Sequence, residues 1–400
     1  MTADGSRSVI VVGGGPVGLV TALALKRAGF TVTVLEKATE LHAEPRASTF
    51  HAPTLELLDR LGLTARLLDE GRPAPQWQYQ VAETGERVVF DFGLIADQTP
   101  YPFRLQCEQF RLVRAAGDVL NREAPGAIVL GAEATGITQD PTGVAVEYRH
   151  AGTTKTARAV WAIAADGASS MVRTALGVGF AGETYPAVSF TVGISYPFED
   201  RIKNLVGVNY FWSDHGPFSM FRTRSMWRVG WSPPPGVSDQ ETLSDAVVQA
   251  KLAKICPSGA PYDLHLARVY RVHKRVADRF NIGRIFLAGD AAHLNSPSGG
   301  FGLNGGVHDA FELTWALTTI ANGGSDDALD RYTRRRRSAA IEDVHATSDA
   351  NYKRHREKDP ARRMELLAEL RAIAADRDRH RAFLLDNSLI NSWRRSSALA

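Results

Sequence analysis

The chain has 400 residues, of which 44% are apolar and 23% charged, so it is long and apolar enough to bury a large core and is not expected to be disordered. Its formal charge of +3 is too small to indicate nucleic-acid binding, and two cysteines are too few for a disulfide framework or a zinc site built from thiolates. We therefore expect a reduced, cytoplasmic globular protein that holds no metal.

The first part of the chain predicts one βαβ unit. Ser8 to Val12 is a short β-branched run typical of a buried parallel strand, Pro16 to Ala28 has helical spacing of its apolar residues, and Thr31 to Leu35 is a second strand. Gly29 ends the helix at the C-cap position. The apolar stretch from Val9 to Leu25 is interrupted by three consecutive glycines and is shorter than the about 20 residues of a membrane span, so we expect neither a signal segment nor a membrane helix.

Beyond this unit the pattern becomes strand-rich and then helical. The predicted elements, in chain order, are a helix pair from Thr54 to Leu68, a hairpin from Gln76 to Phe92, a helix from Phe110 to Arg122, strands at Ala127–Leu130, Gly143–His150 and Lys155–Ala165, aromatic-rich strands from Val188 to Ser232, a strand at Ile285–Ala288, and helices from His308 to about Trp393. The basic run Arg334–Arg337 falls in the last region, where we interpret it as the solvated face of a helix.

A glycine-rich turn lies between the first strand and the first helix. Gly13, Gly15 and Gly18 fit the pattern G-x-G-x-x-G, in which the first glycine permits a tight turn, the second lets a pyrophosphate approach the backbone, and the third lets the helix pack against the strand. The free N–H groups at the helix N-terminus attract phosphate. Glu36 follows the second strand, where a carboxylate accepts both hydroxyls of an adenosine ribose and repels a 2′-phosphate. The unit therefore predicts a dinucleotide site.

Two later motifs follow in an order known from one family. Ala165–Arg173 contains Asp166-Gly167, and Ala288–His293 contains Gly289-Asp290 and precedes the glycine-rich loop Gly299–Gly306. Together with the first glycine motif, this set resembles the flavin-dependent aromatic hydroxylases, the single-component FAD monooxygenases of the p-hydroxybenzoate hydroxylase type. A second glycine-rich loop also suits a flat flavin ring, because a backbone with few Cβ atoms can lie close against it. A carboxylate at the end of a strand, such as Asp290, can accept hydrogen bonds from ribityl hydroxyls.

The resemblance implies an α/β fold with a Rossmann-like FAD-binding domain of the GR2 type, an inserted β-sheet substrate domain and a C-terminal helical segment. The expected FAD-binding domain is discontinuous and comprises residues 1–75, 98–180 and 282–345. The substrate domain comprises 76–97 and 181–281, and the helical segment covers 346–400. The helical segment either covers the FAD domain or forms a dimer contact, so a monomer and a homodimer are both open.

The resemblance also implies which residues bind FAD. Arg46 and Gln106 occupy the positions of the family's flavin-contacting arginine and FAD-binding glutamine. The full set of expected FAD ligands is Gly13, Gly15, Pro16, Val17, Gly18, Glu36, Lys37, Arg46, Gln106, Asp166, Gly167, Gly289, Asp290, Gly302, Leu303 and Asn304. No second complete dinucleotide motif follows a strand, so we expect NADH or NADPH to bind transiently near the flavin, with help from Arg46 or Arg173.

The aromatic-rich strands are the expected substrate region, because an aromatic-lined cleft suits a flat ring. Tyr210, Trp212 and Arg222 on these strands are candidate substrate contacts, as is Phe301 in the second glycine-rich loop, where the family often has a polar residue. The resemblance places the Pro297 carbonyl beside the substrate hydroxyl.

The chemistry also needs a base that titrates near neutrality, which histidine does. Of the candidate bases His51, His215, His293 and His308, only His215 falls in the aromatic-rich region, in the turn Asp214–Pro217. His215 is therefore the predicted base, with an exposed turn histidine as the alternative. His293 is expected to be structural.

The resemblance implies that NAD(P)H reduces FAD and that O2 then forms a flavin C4a-hydroperoxide, which hydroxylates an electron-rich ring of the phenol or hydroxypyridine type. Two alternatives remain open. One is an FAD-dependent oxidoreductase or epoxidase acting on a polyketide, terpene or quinone. The other is a flavin-binding protein without catalytic activity.

Overall fold

The computed structural model describes residues 7–41 and 46–399, so residues 1–6, 42–45 and 400 of the expected domain ranges lie outside the described residues. The strands are β1 (Ser8–Val12), β2 (Thr31–Glu36), β3 (Thr49–Phe50), β4 (Arg72–Ala74), β5 (Gln76–Val81), β6 (Arg87–Asp91), β7 (Arg104–Gln106), β8 (Ile128–Leu130), β9 (Glu133–Asp140), β10 (Gly143–His150), β11 (Thr153–Ala159), β12 (Trp161–Ala164), β13 (Phe180–Ile194), β14 (Val208–Trp212), β15 (Phe218–Arg222), β16 (Trp227–Trp231), β17 (Leu264–Ala277), β18 (Asn281–Ile282), β19 (Ile285–Leu287) and β20 (His293–Leu294). The helices are α1 (Pro16–Arg27), α2 (Ala52–Asp59), α3 (Thr64–Glu70), α4 (Gln109–Glu123), α5 (Met171–Ala175), α6 (Asp239–Thr242), α7 (Asp245–Ile255), α8 (Gly302–Ala321), α9 (Asp327–Ser338), α10 (Ala346–His355), α11 (Pro360–Ala375), α12 (Arg377–Asn387) and α13 (Ile390–Ala398).

A six-stranded sheet holds the βαβ unit that the sequence predicts. Its order is β18-β19-β12-β1-β2-β8, and every neighbouring pair is parallel except β18 with β19. The side chains of β1 are almost entirely buried, as expected for a parallel strand covered on both faces. Because β1, β2, β12 and β19 are parallel, the loops that follow them meet at one edge of the sheet. The predicted βαβ unit and α/β fold class are confirmed.

An eight-stranded sheet contains the aromatic-rich strands. Its order is β20-β17-β13-β16-β15-β14-β5-β6, and its neighbouring pairs are antiparallel except β14 with β5. The predicted hairpin from Gln76 to Phe92 therefore lies in the same sheet as strands from Val188 to Ser232, far away in sequence. The exact domain limits stay a prediction.

Two element predictions differ from the structure. The run Lys155–Ala165, expected as one strand, is divided between β11 and β12, which lie in different sheets. Helix α8 begins at Gly302 rather than near His308. A glycine-rich helix start is possible here because α8 packs closely on the first glycine motif: a Cβ on Gly306 would lie 2.4 Å from Val17 Cγ2.

The C-terminal helices pack on the outer edge of the eight-stranded sheet. Leu367, Leu370, Leu384 and Ile390 form one apolar cluster with β5, β6 and β14. The helical segment therefore covers the sheet with the aromatic strands, a placement that neither expected alternative named, and the choice between monomer and homodimer stays a prediction. Within the described residues, no helix combines the length and apolar character needed to cross a bilayer.

Candidate active site

A cavity of about 840 Å³ lies where the two larger sheets face each other. This volume is within the range of about 300–1,000 Å³ that is usual for small-molecule sites. One end is lined by the loops that follow β1, β2, β12 and β19, and the other end by side chains of β14, β15 and β16. The cavity therefore connects the predicted dinucleotide site to the predicted substrate region.

The three glycines of the first motif differ in what a Cβ atom at each position would contact. Gly13 has a φ of 106°, and a Cβ on it would lie 2.4 Å from the Ala165 carbonyl oxygen. A Cβ on Gly18 would lie 2.0 Å from the Gly13 carbonyl oxygen. A Cβ on Gly15 would meet no protein atom within 4 Å, although Gly15 lines the cavity. Gly13 and Gly18 thus permit the packing of the turn, whereas Gly15 leaves space at the N-terminus of α1, where a pyrophosphate fits.

Glu36 is fixed at the neighbouring corner of the cavity. Its side chain is only 5% exposed, and its two carboxylate oxygens accept hydrogen bonds from the backbone N–H groups of Gly14 (2.5 Å) and Ala38 (2.8 Å). A carboxylate fixed at the end of the second strand is the acceptor type that binds the hydroxyls of a ribose. Pro16, Val17 and Lys37 line the same end of the cavity.

Two further carboxylates lie on the cavity wall with unused acceptor capacity. Asp166 Oδ2 accepts a hydrogen bond from the Val172 N–H (3.2 Å), but its Oδ1 is buried and lacks a partner among the described residues. The Asp290 carboxylate faces the cavity. Desolvation by the surrounding protein raises its pKa, although the charges of His293 and Arg46 act in the opposite direction. These carboxylates fit a ligand that brings hydroxyl groups, as the ribityl chain of FAD does.

Asp309 holds the loop of Asp290 in place from behind. Its Oδ2 accepts from the Gly289 N–H (2.9 Å) and from His293 Nε2 (2.8 Å), and its Oδ1 accepts from Arg336 Nε (2.6 Å). Arg336 is only 1% exposed, so the interpretation of Arg334–Arg337 as a solvated face is wrong for this residue. The same contacts agree with the structural role expected for His293.

The second glycine-rich loop is held by Asn304. Its side chain accepts a hydrogen bond from the His51 N–H (2.8 Å) and donates to the carbonyl oxygens of Thr49 (2.9 Å) and Gly300 (2.6 Å). Asn304 thus supports the loop from outside the cavity lining, whereas Gly302 and Leu303 border the cavity at the N-terminus of α8.

Gln106, a predicted FAD ligand, and Phe301, a predicted substrate contact, also lie wholly or partly behind the cavity wall. Gln106 is fully buried, and its side chain hydrogen-bonds to Thr49 Oγ1 (3.2 Å). Phe301 borders the cavity but is otherwise buried, with its ring 5.3 Å from that of His51. Arg173 donates to the Ala168 and Ala291 carbonyl oxygens (2.9 and 3.0 Å), so its contacts are structural rather than those expected of a reductant site.

The sixteen predicted FAD ligands divide into two groups by their position relative to the cavity. Those that line the cavity are Gly13, Gly15, Pro16, Val17, Glu36, Lys37, Arg46, Asp166, Gly167, Asp290, Gly302 and Leu303. Those that lie behind its lining are Gly18, Gln106, Gly289 and Asn304.

At the other end of the cavity, alternate residues of three strands form a floor. Tyr210 pairs with Ser219, and Ser219 pairs with Gly230, so the three lie side by side across β14, β15 and β16. A Cβ on Gly230 would lie 3.1 Å from Ser219 Oγ, so glycine leaves room beside this hydroxyl. Pro297 borders the same cavity.

Three predicted substrate residues do not reach this cavity. His215 is exposed in a turn, where its carbonyl oxygen accepts from Lys251 Nζ (2.6 Å), so its position contradicts a role as the base in this cavity. Trp212 is fully buried and donates from Nε1 to the Arg354 carbonyl oxygen (2.9 Å). Arg222 pairs with Glu199 (3.3 Å) on the face of β15 opposite Phe221, which lines the cavity. Strand alternation explains this last result, because neighbouring side chains point to opposite faces.

Arg104 and Arg228 also line the cavity, although neither was predicted as a site residue. Arg228 could have been found from alternation, since it shares a face with Gly230, whereas Trp227 and Trp231 point into the core on the other side. Arg104 carries a weaker signal, a single charge in a short buried strand that also contains Gln106. Burial lowers the pKa of both guanidinium groups.

Comparisons with known proteins agree with this geometry. Residues 6–347 match a family described as FAD binding domain. The chain is 35% identical to para-nitrophenol 4-monooxygenase of Pseudomonas sp. (strain WBC-3), with 98% of this chain and 97% of that protein covered. It is 31% identical to 6-hydroxy-3-succinoylpyridine 3-monooxygenase HspB of Pseudomonas putida, with 93% and 95% covered. Its fold is similar to the solved structure of p-nitrophenol 4-monooxygenase PnpA from Pseudomonas putida, with a TM-score of 0.90, 32% identity, and 97% and 98% covered.

Proposed function

Because this chain belongs to the FAD binding domain family, among the single-component FAD-dependent aromatic monooxygenases, we propose that it hydroxylates a phenol or hydroxypyridine with NAD(P)H and O2. The observation that carries this proposal is the continuous cavity. It connects a dinucleotide site at the edge of a parallel sheet with an aromatic-walled floor on a second sheet. The residues that would hold FAD line one part of this cavity, and Tyr210, Ser219 and Gly230 line the floor in another part.

The chain's own residues hold the cofactor by matched chemistry. Glu36 accepts from ribose hydroxyls, and the open space at Gly15 admits the pyrophosphate to the N-terminus of α1. Asp290 accepts from the ribityl chain. Bound FAD supplies the redox chemistry, taking a hydride from NAD(P)H and activating O2.

Helix α8 contributes electrostatically at the ring end. It begins at Gly302, which borders the cavity, so its free N–H groups and positive dipole end stabilise negative charge there. The buried Asp309 network fixes the position of this helix relative to the Gly289–Asp290 loop. The helix start and the Gly289–Asp290 loop are therefore held together by buried hydrogen bonds.

The floor positions the aromatic substrate and excludes water. Val208, Tyr210 and Phe221 supply apolar surface to a flat ring, and Ser219 supplies a hydroxyl beside Gly230. The Pro297 carbonyl is proposed to accept a hydrogen bond from a substrate group. Exclusion of water protects a reactive oxygen donor from decay before the ring is attacked.

The test begins with the purified holoprotein, which should be yellow with one FAD per chain. NADH and NADPH oxidation are then measured separately with a panel of phenols and hydroxypyridines, together with oxygen uptake and the hydroxylated product. At least one compound should stimulate reductant consumption and yield a product with one added oxygen atom. Asp290→Ala should lose most of the bound FAD, whereas Asp118→Asn, on the exposed face of α4, should retain it. A protein that cannot be reconstituted with FAD, or that gives no product with any member of the panel, would contradict the proposal.

A further inference from the structure

Residues 294–301, here called the cavity loop, connect β20 to the start of α8. Six of these residues line the cavity, namely Leu294, Asn295, Pro297, Gly299, Gly300 and Phe301. The loop therefore carries both the proposed substrate contact at Pro297 and the glycine backbone that suits a flavin ring. Gly299 and Gly300 have φ values of 110° and 74°, and glycine is conformationally permissive. The loop consequently needs support from other parts of the chain to keep one position.

The ring of Phe301 lies directly against the glycine backbone. A Cβ on Gly299 would lie 2.4 Å from Phe301 Cε2, so the ring is already in contact with this backbone. Phe301 also forms a small buried apolar cluster with Val344 and Leu389. A shift of the Phe301 ring would therefore move Gly299, and the packing of Val344 and Leu389 restricts such a shift.

Leu389 adopts a backbone conformation that leucine normally avoids. It lies in the short link between α12 and α13 with φ 64° and ψ 9°, in the left-handed region. A Cβ makes this region unfavourable, and glycine is usual where a helix ends in this way. Such a residue persists where the surrounding contacts over-determine its conformation. The Leu389 side chain is only 1% exposed in the cluster with Phe301, so its packing offsets the unfavourable backbone.

His345 holds the other end of the cavity loop. Its Nε2 lies 2.8 Å from the Leu294 carbonyl oxygen, and because that oxygen can only accept, Nε2 carries the hydrogen. Burial lowers the pKa of His345 to about 4, so the ring is neutral near pH 7. His345 and Val344 are neighbours at the end of a π-helical segment, Ala339–His345. Such π-helical turns are rare and occur frequently at functional sites.

We propose that Val344, His345 and Leu389, here called the loop support, set the position of the cavity loop against bound FAD. His345 acts through Leu294 and Leu389 acts through Phe301, so both are positioning residues. Neither is among the described residues that line the cavity. The inference rests on the proposed function for the identity of the cofactor, and it gives the C-terminal helical segment a part in the cofactor site.

The loop support should affect the bound flavin through helix α8. Phe301 immediately precedes α8, and its carbonyl oxygen accepts from the Gly305 N–H (2.8 Å). A displaced Phe301 therefore displaces the first turn of this helix. Because the positive end of α8 stabilises negative charge on the reduced flavin, the displacement should lower the reduction potential of bound FAD and weaken its binding.

The first experiment compares His345→Leu with His345→Gln in purified protein without substrate. His345→Leu removes the donor to the Leu294 carbonyl, whereas the amide of glutamine retains one. Loss of a neutral hydrogen bond typically changes an equilibrium by about 2- to 10-fold, so the dissociation constant of FAD should rise by that factor in His345→Leu. Its flavin reduction potential, measured against a reference dye, should fall. His345→Gln should restore most of both values.

The second experiment replaces Leu389 by alanine and by glycine. Both changes remove the side chain that packs on Phe301, but glycine also relieves the left-handed backbone. Both variants should bind FAD more weakly and have a lower flavin reduction potential. If Leu389 served only to end α12, Leu389→Gly would be at least as stable as wild type and its flavin would be unchanged.

Two control variants remove comparable buried side chains elsewhere. Leu252→Ala deletes a buried leucine from the cluster that α7 forms with the eight-stranded sheet. His380→Leu replaces a buried histidine of α12 that lies beside Phe90. Both controls should lower the urea unfolding midpoint but leave the affinity for FAD and the reduction potential unchanged. Circular dichroism reports on the folding of every variant.

Unchanged FAD affinity and potential in both His345→Leu and Leu389→Ala would overturn the inference, as would changes of equal size in the two controls. Loss of FAD from folded Leu389→Ala, with FAD retained by Leu252→Ala, would support it. If Leu389→Ala does not fold, the two His345 variants decide. Shifted flavin properties in these variants without hydroxylation of any compound by wild type would contradict the proposed function alone. Hydroxylation by wild type with unshifted variants would contradict the inference alone.

Discussion

Replacing Asp309 by Asn removes one negative charge from the centre of the structure while keeping the shape of the side chain. Asp309 is fully buried, and the Arg336 side chain paired with it is only 2% exposed. His293 and Arg336 hold the pKa of Asp309 well below its usual range despite burial, so the carboxylate is ionised in the folded protein. The substitution therefore leaves Arg336 as a buried cation without its counter-ion.

The expected loss of stability is large for a single substitution. Breaking a buried ion pair by removing one partner costs about 3–5 kcal/mol, against a total stability of about 5–15 kcal/mol for a typical protein. The Asp118–Arg66 pair is the matched control, because its side chains are 57% and 42% exposed. Asp118→Asn should cost only about 0–1 kcal/mol.

Urea unfolding of both variants is compared at one fixed concentration of free FAD, with the change in midpoint multiplied by the slope of the transition. Asp309→Asn should also bind FAD more weakly, because Asp309 accepts from the Gly289 N–H beside Asp290. The double variant Asp309→Asn/Arg336→Met should recover part of the loss, since no buried charge remains unpaired. If Asp309→Asn shifted the midpoint no further than Asp118→Asn, the argument from burial would be wrong.

Three further predictions follow from the same structure. Gly15→Ala should fold normally but bind FAD poorly, because its Cβ would enter the cavity. Gly18→Ala should fold poorly, because its Cβ would lie 2.0 Å from a backbone oxygen. Circular dichroism reports on folding and FAD content on binding, so together they distinguish the two variants. The folded pKa of His355, about 3, lies below the unfolded value near 6.5, so its contribution to stability is complete above about pH 6.5 and is lost as the pH falls towards 3. By pH 5 the loss is about 2 kcal/mol, so His355→Gln should reduce the fall in the free energy of unfolding between pH 7 and pH 5, measured by urea unfolding, by about that amount. His215→Ala should leave the hydroxylation rate within about twofold of wild type, because His215 is an exposed turn residue; a loss of about 10²-fold or more would restore it as the base.

Features that depend on contiguous sequence were predictable. The first strand, the glycine turn, the helix and Glu36 lie within one short segment, and each is specified by local rules: β-branched residues for the strand, apolar spacing for the helix, and glycine where a Cβ would collide with backbone. The order of the later Asp-Gly and Gly-Asp motifs was equally visible. Because the resemblance implied that both motifs bind FAD, they were expected to share one site, and Asp166 and Asp290 do line one cavity.

The substrate end depended on contacts between segments distant in sequence. Arg104 on β7 and Tyr210 on β14 both line the cavity, and nothing in the local sequence of either strand indicates that they share one site. Trp212 is buried because helices from the last part of the chain cover its sheet, and Arg336 is buried because Asp309 on another helix neutralises it. A charged or aromatic residue has the same local pattern whether it faces solvent, core or cavity. Its environment is decided by which elements pack against it, and that is a property of the tertiary structure alone.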